Sequence, residues 1–206
     1  EAWENLARKL AHEIKNPLTP IQLTIDRLQS KYSDYISKKD KDNYKENLNI
    51  IKNQIKQIGS LVNEFSDFAR MPKPILNDND LLILLRENIK LLQKLDKTIN
   101  IELNSNIEKI IFNSDKEQLS RVFFNLIKNS IESIQQKSTN SSSFFKKITI
   151  EINKFDDNII VKLTDNGIGF EKFTNNIKDI LNPYFTTKKN GTGLGLSIVN
   201  KIINDH

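Results

Sequence analysis

Residues 44–69 read YKENLNIIKNQIKQIGSLVNEFSDFA, in which Tyr44, Leu48, Ile51, Ile55, Ile58, Val62, Phe65 and Ala69 recur at alternating steps of four and three. That spacing is the heptad seam of a helix that packs on other helices. Upstream, Trp3, Ala7, Leu10 and Ile14 keep the same rhythm, which continues through Ile21 and Leu28, while Leu18 and Ile25 widen the apolar stripe. The two stretches predict a helical hairpin joined by the mostly polar segment 31–43. One hairpin covers only part of two broad apolar faces, so residues 1–70 are expected to form a homodimer whose four helices make one bundle.

With Ala7, Leu10 and Ile14 taken as heptad positions a, d and a, His12 falls at f, farthest from the seam, and should face solvent. From there the chain reads His12-Glu-Ile-Lys-Asn-Pro-Leu-Thr-Pro20. Pro17 and Pro20 each remove a backbone donor and crowd the preceding turn, which predicts a bend or local opening just after His12.

Bulk properties narrow the function classes. The 206 residues are 37% hydrophobic, enough for folded cores in one or two domains. The net charge of +5 comes from 31 basic residues interleaved with 26 acidic ones, a pattern of solvated faces that does not point to nucleic acid. No apolar run approaches the roughly 18 to 20 residues that span a bilayer, and Glu1-Ala2-Trp3-Glu4 has no signal-peptide character, so no membrane contact is expected from this segment. The absence of cysteine agrees with a cytoplasmic setting and removes thiolate metal sites.

Met71-Pro-Lys-Pro74 interrupts the helical pattern and marks a domain boundary, with residues 75–206 as the second domain. There 80–95 reads as helix, 99–103 and 109–112 as short strands, and Ser114-Asp-Lys-Glu117 as a capping box opening a helix to about residue 136. After a polar loop at 138–143, 147–153 and 158–164 read as strands joined by a turn at Asp156-Asp157. This order predicts an α/β sandwich with helices on one face of a mixed sheet.

Five of the six glycines lie between residues 167 and 195. Asp165-Asn-Gly167-Ile-Gly169 follows directly on a predicted strand, and Gly191-Thr-Gly193-Leu-Gly195-Leu196 opens a final helix over 196–204. Backbone amides in such loops and at a helix N-terminus attract phosphate. The spacing fits neither a dinucleotide-binding fingerprint nor a phosphate-binding loop with its Lys-Ser/Thr ending. Asn125 and Asn129, four apart on the predicted helix, project from one face, where amide oxygens suit Mg2+ bound to a nucleotide.

In order, Asn125-x-x-x-Asn129, Asp165-x-Gly167-x-Gly169, Pro183-Tyr-Phe185-Thr-Thr-Lys188 and Gly191-Thr-Gly-Leu-Gly195-Leu196 resemble the asparagine box, first glycine box, phenylalanine box and second glycine box of sensor histidine kinases. His12-Glu-Ile-Lys-Asn-Pro17 resembles their histidine box, and Arg8 through Pro20 is most similar to the NtrY-like nitrogen-regulation branch. The resemblance covers nearly the whole chain and implies a dimerisation and phosphotransfer hairpin followed by a Bergerat-type ATP-binding domain. It further implies that ATP phosphorylates His12, with Glu13 orienting the ring or taking its proton. By the same resemblance Asp165 accepts from the adenine amino group, Asn129 binds Mg2+ with Asn125 beside it, and Gly191, Thr192, Gly193, Leu194 and Gly195 hold phosphates. Gly167 and Gly169 shape the base loop. Residues 170–192 would form a lid anchored by Phe185, with Lys188 reaching the phosphates. The implied partner is a response regulator with a receiver domain, and Asn16, one helical turn after His12, matches the position that orients a water for dephosphorylating it. The implied parent protein is anchored in the bacterial inner membrane.

Two other readings belong to different classes. GHKL-type ATPases such as gyrase and MutL share the nucleotide fold but carry a glutamate where this chain has Asn125, so transfer is favoured over hydrolysis. A dimeric pseudokinase without turnover is disfavoured by the intact histidine and glycine motifs. Many relatives place a lysine where this chain has Glu132, leaving Lys128 and Lys188 as candidate cations. The family also continues past the position of His206 into a closing hairpin, so the chain is read as truncated there.

Overall fold

A computed structural model of the chain describes residues 2–138, 144–155, 158–170, 176–188 and 191–206. Its backbone divides into two compact units, Glu1–Pro72 with Lys188–Leu194, and Lys73–Thr187 with Gly195–His206. Most of the polar loop expected at 138–143 and the Asp156-Asp157 turn lie outside the described residues, as does the side chain of Trp3.

In the first unit, α1 (Ala2–Tyr32) and α2 (Lys41–Ala69) form the predicted hairpin, with longer helices and a shorter connection than the polar run suggested. Ile25, Leu48 and Ile55 make its core, backed by Leu18 and Tyr44. The Tyr44 hydroxyl donates to the carbonyl of Leu28 at 2.6 Å, and Lys52 lies 2.7 Å from Asp26.

Only part of the assigned seam is covered in the hairpin. On α1, Ala7, Ala11 and Ile25 are buried, whereas Leu10, Ile14, Ile21 and Leu28 remain between 39% and 45% exposed. On α2, Leu48, Ile55 and Val62, seven residues apart, are buried, while Ile51 and Ile58 are each 44% exposed. Within the single hairpin, then, part of each helix's apolar stripe stays uncovered. Helix α1 also runs unbroken through Pro17 and Pro20. Continued packing of Leu18 and Ile25 on α2 maintains the helix, and each proline costs only its own i→i−4 bond. Those missing bonds belong to the carbonyls of Glu13 and Asn16, in the turn that follows His12.

The second unit comprises β1 (Asn77–Asp80), α3 (Leu81–Leu92), β2 (Asn100–Ser105), β3 (Ile111–Ser114), α4 (Lys116–Ser138), β4 (Lys147–Phe155), β5 (Asn158–Asp165) and α5 (Gly195–Asp205). Strands β2, β4 and β5 make a mixed sheet in that order, β2 parallel and β5 antiparallel to β4. Alternation along β4 buries Ile148, Ile150 and Ile152 on one face, and α4 packs there with α3 and α5 beside it. At about 25 cal/mol per Å2, isoleucines buried this completely each contribute roughly 2 kcal/mol.

Strand β1 was not expected from the sequence; it pairs antiparallel with β3. Asp80 ends it and caps α3, accepting from the backbone N–H of Leu82 at 3.0 Å. The N-cap of α4 sits one residue later than predicted. Asp115, not Ser114, is the cap, accepting from the N–H of Gln118 at 2.9 Å, while Ser114 is fully buried at the end of β3. Burial opposes ionisation of Asp115, but backbone N–H groups of Gln118, Ile75 and Glu117 outweigh it and hold the carboxyl below its usual range.

Candidate functional site

Helix α4 and the loop after β5 build the best-defined site. Helical spacing puts Asn125, Asn129 and Ser133 on one stripe of α4, and the next row carries Ser130, which is 4% exposed. The Ser130 hydroxyl donates to Asp165 Oδ2 at 3.1 Å, and the N–H of Gly167 donates to Asp165 Oδ1 at 2.9 Å. Each carboxylate oxygen therefore has one internal donor, and the remaining lone pairs of the half-buried side chain can receive a donor from a ligand.

The loop is fastened from both sides. The N–H of Ile168 donates to Ser133 Oγ at 3.1 Å. Asn166 donates to the carbonyl of Phe145 at 2.6 Å and accepts from the N–H of Lys147 at 3.0 Å, tying the end of β5 to the start of β4. Gly167 is required by space: a Cβ there would lie 2.1 Å from Ser133 Oγ and 2.7 Å from the Ser133 backbone. Gly169 is required by conformation, since its φ of +69° is in the left-handed region.

Asn125 donates from Nδ2 to the carbonyl of Arg121 at 3.0 Å, which fixes the orientation of its amide. Its oxygen consequently faces Gly195 at the start of α5, where a Cβ would meet it at 3.4 Å. The second glycine motif thus touches the asparagine helix through Gly195. Asn125 and Asn129 offer neutral hard oxygens, a donor set that fits Mg2+ carried by a polyphosphate. Among the described residues, no cluster of three or more His, Cys, Asp or Glu forms an all-protein metal cage. Lys128 lies 3.8 Å from Glu132, one turn along α4, so the departure at 132 engages one of the two candidate cations.

The rest of the glycine run, Gly191 to Leu194, groups with the first unit. There Thr192 Oγ1 bonds to Glu64 of α2 and receives the N–H of Leu194 at 3.4 Å, while Gly193 has φ +70°. Lys188 accepts from the N–H of Gly191 through its carbonyl at 3.2 Å. In the predicted lid, residues 171–175 and 189–190 lie outside the described residues. Its described part has a short 3-10 turn, Ile177–Leu181, then a tight turn closed by the Phe185 N–H on the Asn182 carbonyl at 3.2 Å. Tyr184 occupies the left-handed position of that turn with φ 70°, which sequence reasoning did not anticipate, and Phe185 is half-buried behind it.

His12 is exposed on α1, as its heptad position required. Glu13 and Asn16 are exposed too, and Glu13 lies 4.0 Å from Lys9. Ser130 and Ser133 are the site residues that sequence reasoning missed. The asparagine stripe would have reached Ser133 at its next step, but no local pattern marks Ser130, whose partner is 35 residues away.

Comparison with known proteins agrees with this architecture. The His Kinase A (phospho-acceptor) domain family matches residues 2–74, and the Histidine kinase-, DNA gyrase B-, and HSP90-like ATPase family matches residues 114–206. The chain is 34% identical to Nitrogen regulation protein NtrY of Azorhizobium caulinodans, over all of this chain and 26% of that protein. It is 37% identical to the Putative sensor histidine kinase NtrY-like of Rickettsia conorii, over all of this chain and 33% of that protein. The chain thus spans a third or less of the length of these curated relatives. Among solved structures, histidine kinase ThkA in complex with response regulator protein TrrA superposes with a TM-score of 0.62 at 26% identity, covering 98% of this chain and 54% of that one. Full-length ShkA in complex with AMPPNP gives a TM-score of 0.69 at 19% identity over 98% of this chain and 41% of that one, a likeness of fold.

Proposed function

The chain belongs to the sensor histidine kinases, and from that premise we propose that it is a kinase core that moves the γ-phosphoryl group of ATP to His12 and then to an aspartate of a response regulator. One observation carries the reading. An exposed imidazole on the phospho-acceptor hairpin shares a chain with a carboxylate, Asp165, held as a hydrogen-bond acceptor by Ser130 and Gly167. A phospho-acceptor domain has no place in a pure ATPase of the same nucleotide fold, which disfavours that alternative.

In this mechanism Asp165 accepts from the adenine amino group, and the loop Gly167 to Gly169 closes over the base. Asn129 would hold Mg2+ with Asn125 beside it, and the ion would supply positive charge against the phosphates. Gly191, Thr192, Gly193, Leu194 and Gly195 hold the phosphates, Lys188 adds a cation, and Phe185 anchors the lid. A neutral imidazole nitrogen of His12 attacks the γ-phosphorus, an N–P bond forms, and the P–O bond to the departing ADP breaks. Glu13 orients the ring and takes the proton from its other nitrogen. Asn16, one turn further along α1, orients the water that later hydrolyses the regulator's phosphoaspartate.

The complex of ThkA with response regulator protein TrrA supports a response regulator as partner here. The second apolar rows of the hairpin support a homodimer through residues 1–70, because a second copy would cover Leu10, Ile14, Ile21, Leu28, Ile51 and Ile58. No described helix is long and apolar enough to cross a membrane. We place this segment on the cytoplasmic side of a membrane-anchored parent. The test is incubation with γ-labelled ATP and Mg2+, comparing the native chain with His12→Ala. Label should appear only on the native chain and pass to a receiver-domain protein; label on the variant refutes the proposal. Asn16→Ala should still label His12 while failing to dephosphorylate the regulator.

A further inference from the structure

We infer that Ser130 is a specificity-determining positioning residue, which fixes Asp165 so that the pocket selects a base with an exocyclic amino donor over one with a carbonyl at that edge. The inference rests on the reading of the site as an ATP pocket and concerns what makes Asp165 selective. Ser130 is 4% exposed and donates to Asp165 Oδ2 at 3.1 Å, while the Gly167 N–H occupies Oδ1 at 2.9 Å. Two donors on opposite oxygens stop rotation about the Cβ–Cγ bond and fix the direction of the remaining lone pairs.

The outward lone pairs then meet a ligand in one orientation. Adenine presents an N–H donor to them, whereas guanine presents a carbonyl oxygen, and two acceptors face each other without a proton between them. Gly167 belongs to the loop and moves with Asp165. Ser130 belongs to α4, so it refers the carboxylate to the helix that also bears Asn125 and Asn129. Base selection and polyphosphate orientation are thereby set by one rigid element.

Ser133 is the natural control. It lies on the same helix and holds the same loop through Ile168, three residues beyond Asp165. Its loss should disturb the loop without altering the carboxylate's choice of partner.

The test titrates the full chain with ATP and GTP in Mg2+, for native protein, Ser130→Ala, Ser133→Ala and Asp165→Asn, alongside rates of His12 labelling. Ser130→Ala should weaken ATP binding roughly tenfold, the scale of a lost hydrogen bond to a charged group, and leave GTP nearly unchanged, so the preference for ATP falls. KM for ATP should rise by the same factor while the labelling rate at saturating ATP stays within about twofold. Ser133→Ala should weaken both nucleotides equally. Equal losses for ATP and GTP in Ser130→Ala, or no loss for ATP, overturn the inference. If the alanine variant does not fold, Ser130→Cys, of similar shape but a poor donor, should lower the ATP preference several-fold, and a native preference there overturns it as well. Asp165→Asn separates the two layers. If it binds ATP normally, the adenine reading fails; if it loses ATP while Ser130→Ala binds normally, only the role of Ser130 fails.

Discussion

A single methyl group added at Gly167 should separate the nucleotide pocket from the helix behind it. The new Cβ would lie 2.1 Å from Ser133 Oγ, 2.7 Å from the Ser133 carbonyl carbon and 2.8 Å from Asp165 Oδ1. Rotating the serine relieves the first contact but gives up its bond to the Ile168 N–H. The second contact is with the backbone of α4 and is about 1 Å shorter than carbon–carbon contact allows, so the loop itself must move. Overpacking of this kind costs about 1–3 kcal/mol, and the two loop bonds lost with it, Gly167 to Asp165 and Ile168 to Ser133, add about 1 kcal/mol each. Gly167→Ala should therefore lose about 3–5 kcal/mol, seen as a fall in Tm on the order of 10 °C, and bind ATP too weakly for calorimetric detection. Gly169→Ala is the comparison, because nothing lies within 4 Å of its Cβ and only the left-handed backbone, φ +69°, is penalised, at about 1–2 kcal/mol. Adding Ser133→Ala to Gly167→Ala should recover only part of the loss, since the backbone contact remains. Equal destabilisation by the two glycine substitutions, or ATP binding by Gly167→Ala within twofold of native, would refute the steric argument.

Acid should destabilise the chain through Asp96. The carboxylate accepts from the hydroxyl of Thr98 at 2.6 Å, and this bond, against the cost of burial and with help from the Thr98 N–H, Gln135 and Lys146, lowers its pKa from 3.8 to about 2. A depressed carboxylate pKa contributes stability that is present above the unfolded value and lost as pH falls through the folded one. Asp96→Asn should accordingly cost about 2 kcal/mol at pH 7 and almost nothing near pH 1, measured by urea unfolding at each pH. Glutamates at Ile51 and Ile58, each 44% exposed in the single hairpin, should leave helix content intact and convert dimer to monomer in sedimentation velocity; an unchanged dimer refutes the assignment of that row. Asn88 is 5% exposed and joins α3 to α4 through Ser120 Oγ at 3.0 Å, so Asn88→Leu should lower stability by about 1–2 kcal/mol in thermal melts without changing ATP affinity.

What was legible in the sequence was whatever depends on near neighbours in the chain. The 3.6-residue period gave both long helices, the alternation in 147–153 gave β4, and the acidic cap before α4 was misplaced by one residue. Strand β1 was illegible because Asn77-Asp-Asn-Asp80 has no apolar alternation and poor strand propensity. It is held by pairing with β3 and by Asn79 donating to the Ser114 carbonyl at 2.7 Å, both partners remote in sequence. The heptad pattern gave the width of the apolar stripe but not which row α2 would take. Row choice depends on the side chains of the other helix. The site divides in the same way. Asp165-x-Gly167-x-Gly169 is a local signature because the chain must turn there and bring backbone near a ligand, so the carboxylate could be located from sequence. Its direction could not, because that depends on a serine hydroxyl from another element. Ser130 and Ser133 are the same residue type on the same helix, yet one meets the carboxylate and the other a backbone N–H. Composition and spacing cannot distinguish those partners. The glycine motif therefore marks where the chain turns beside a carboxylate, while the helix packed behind it fixes the direction of that carboxylate.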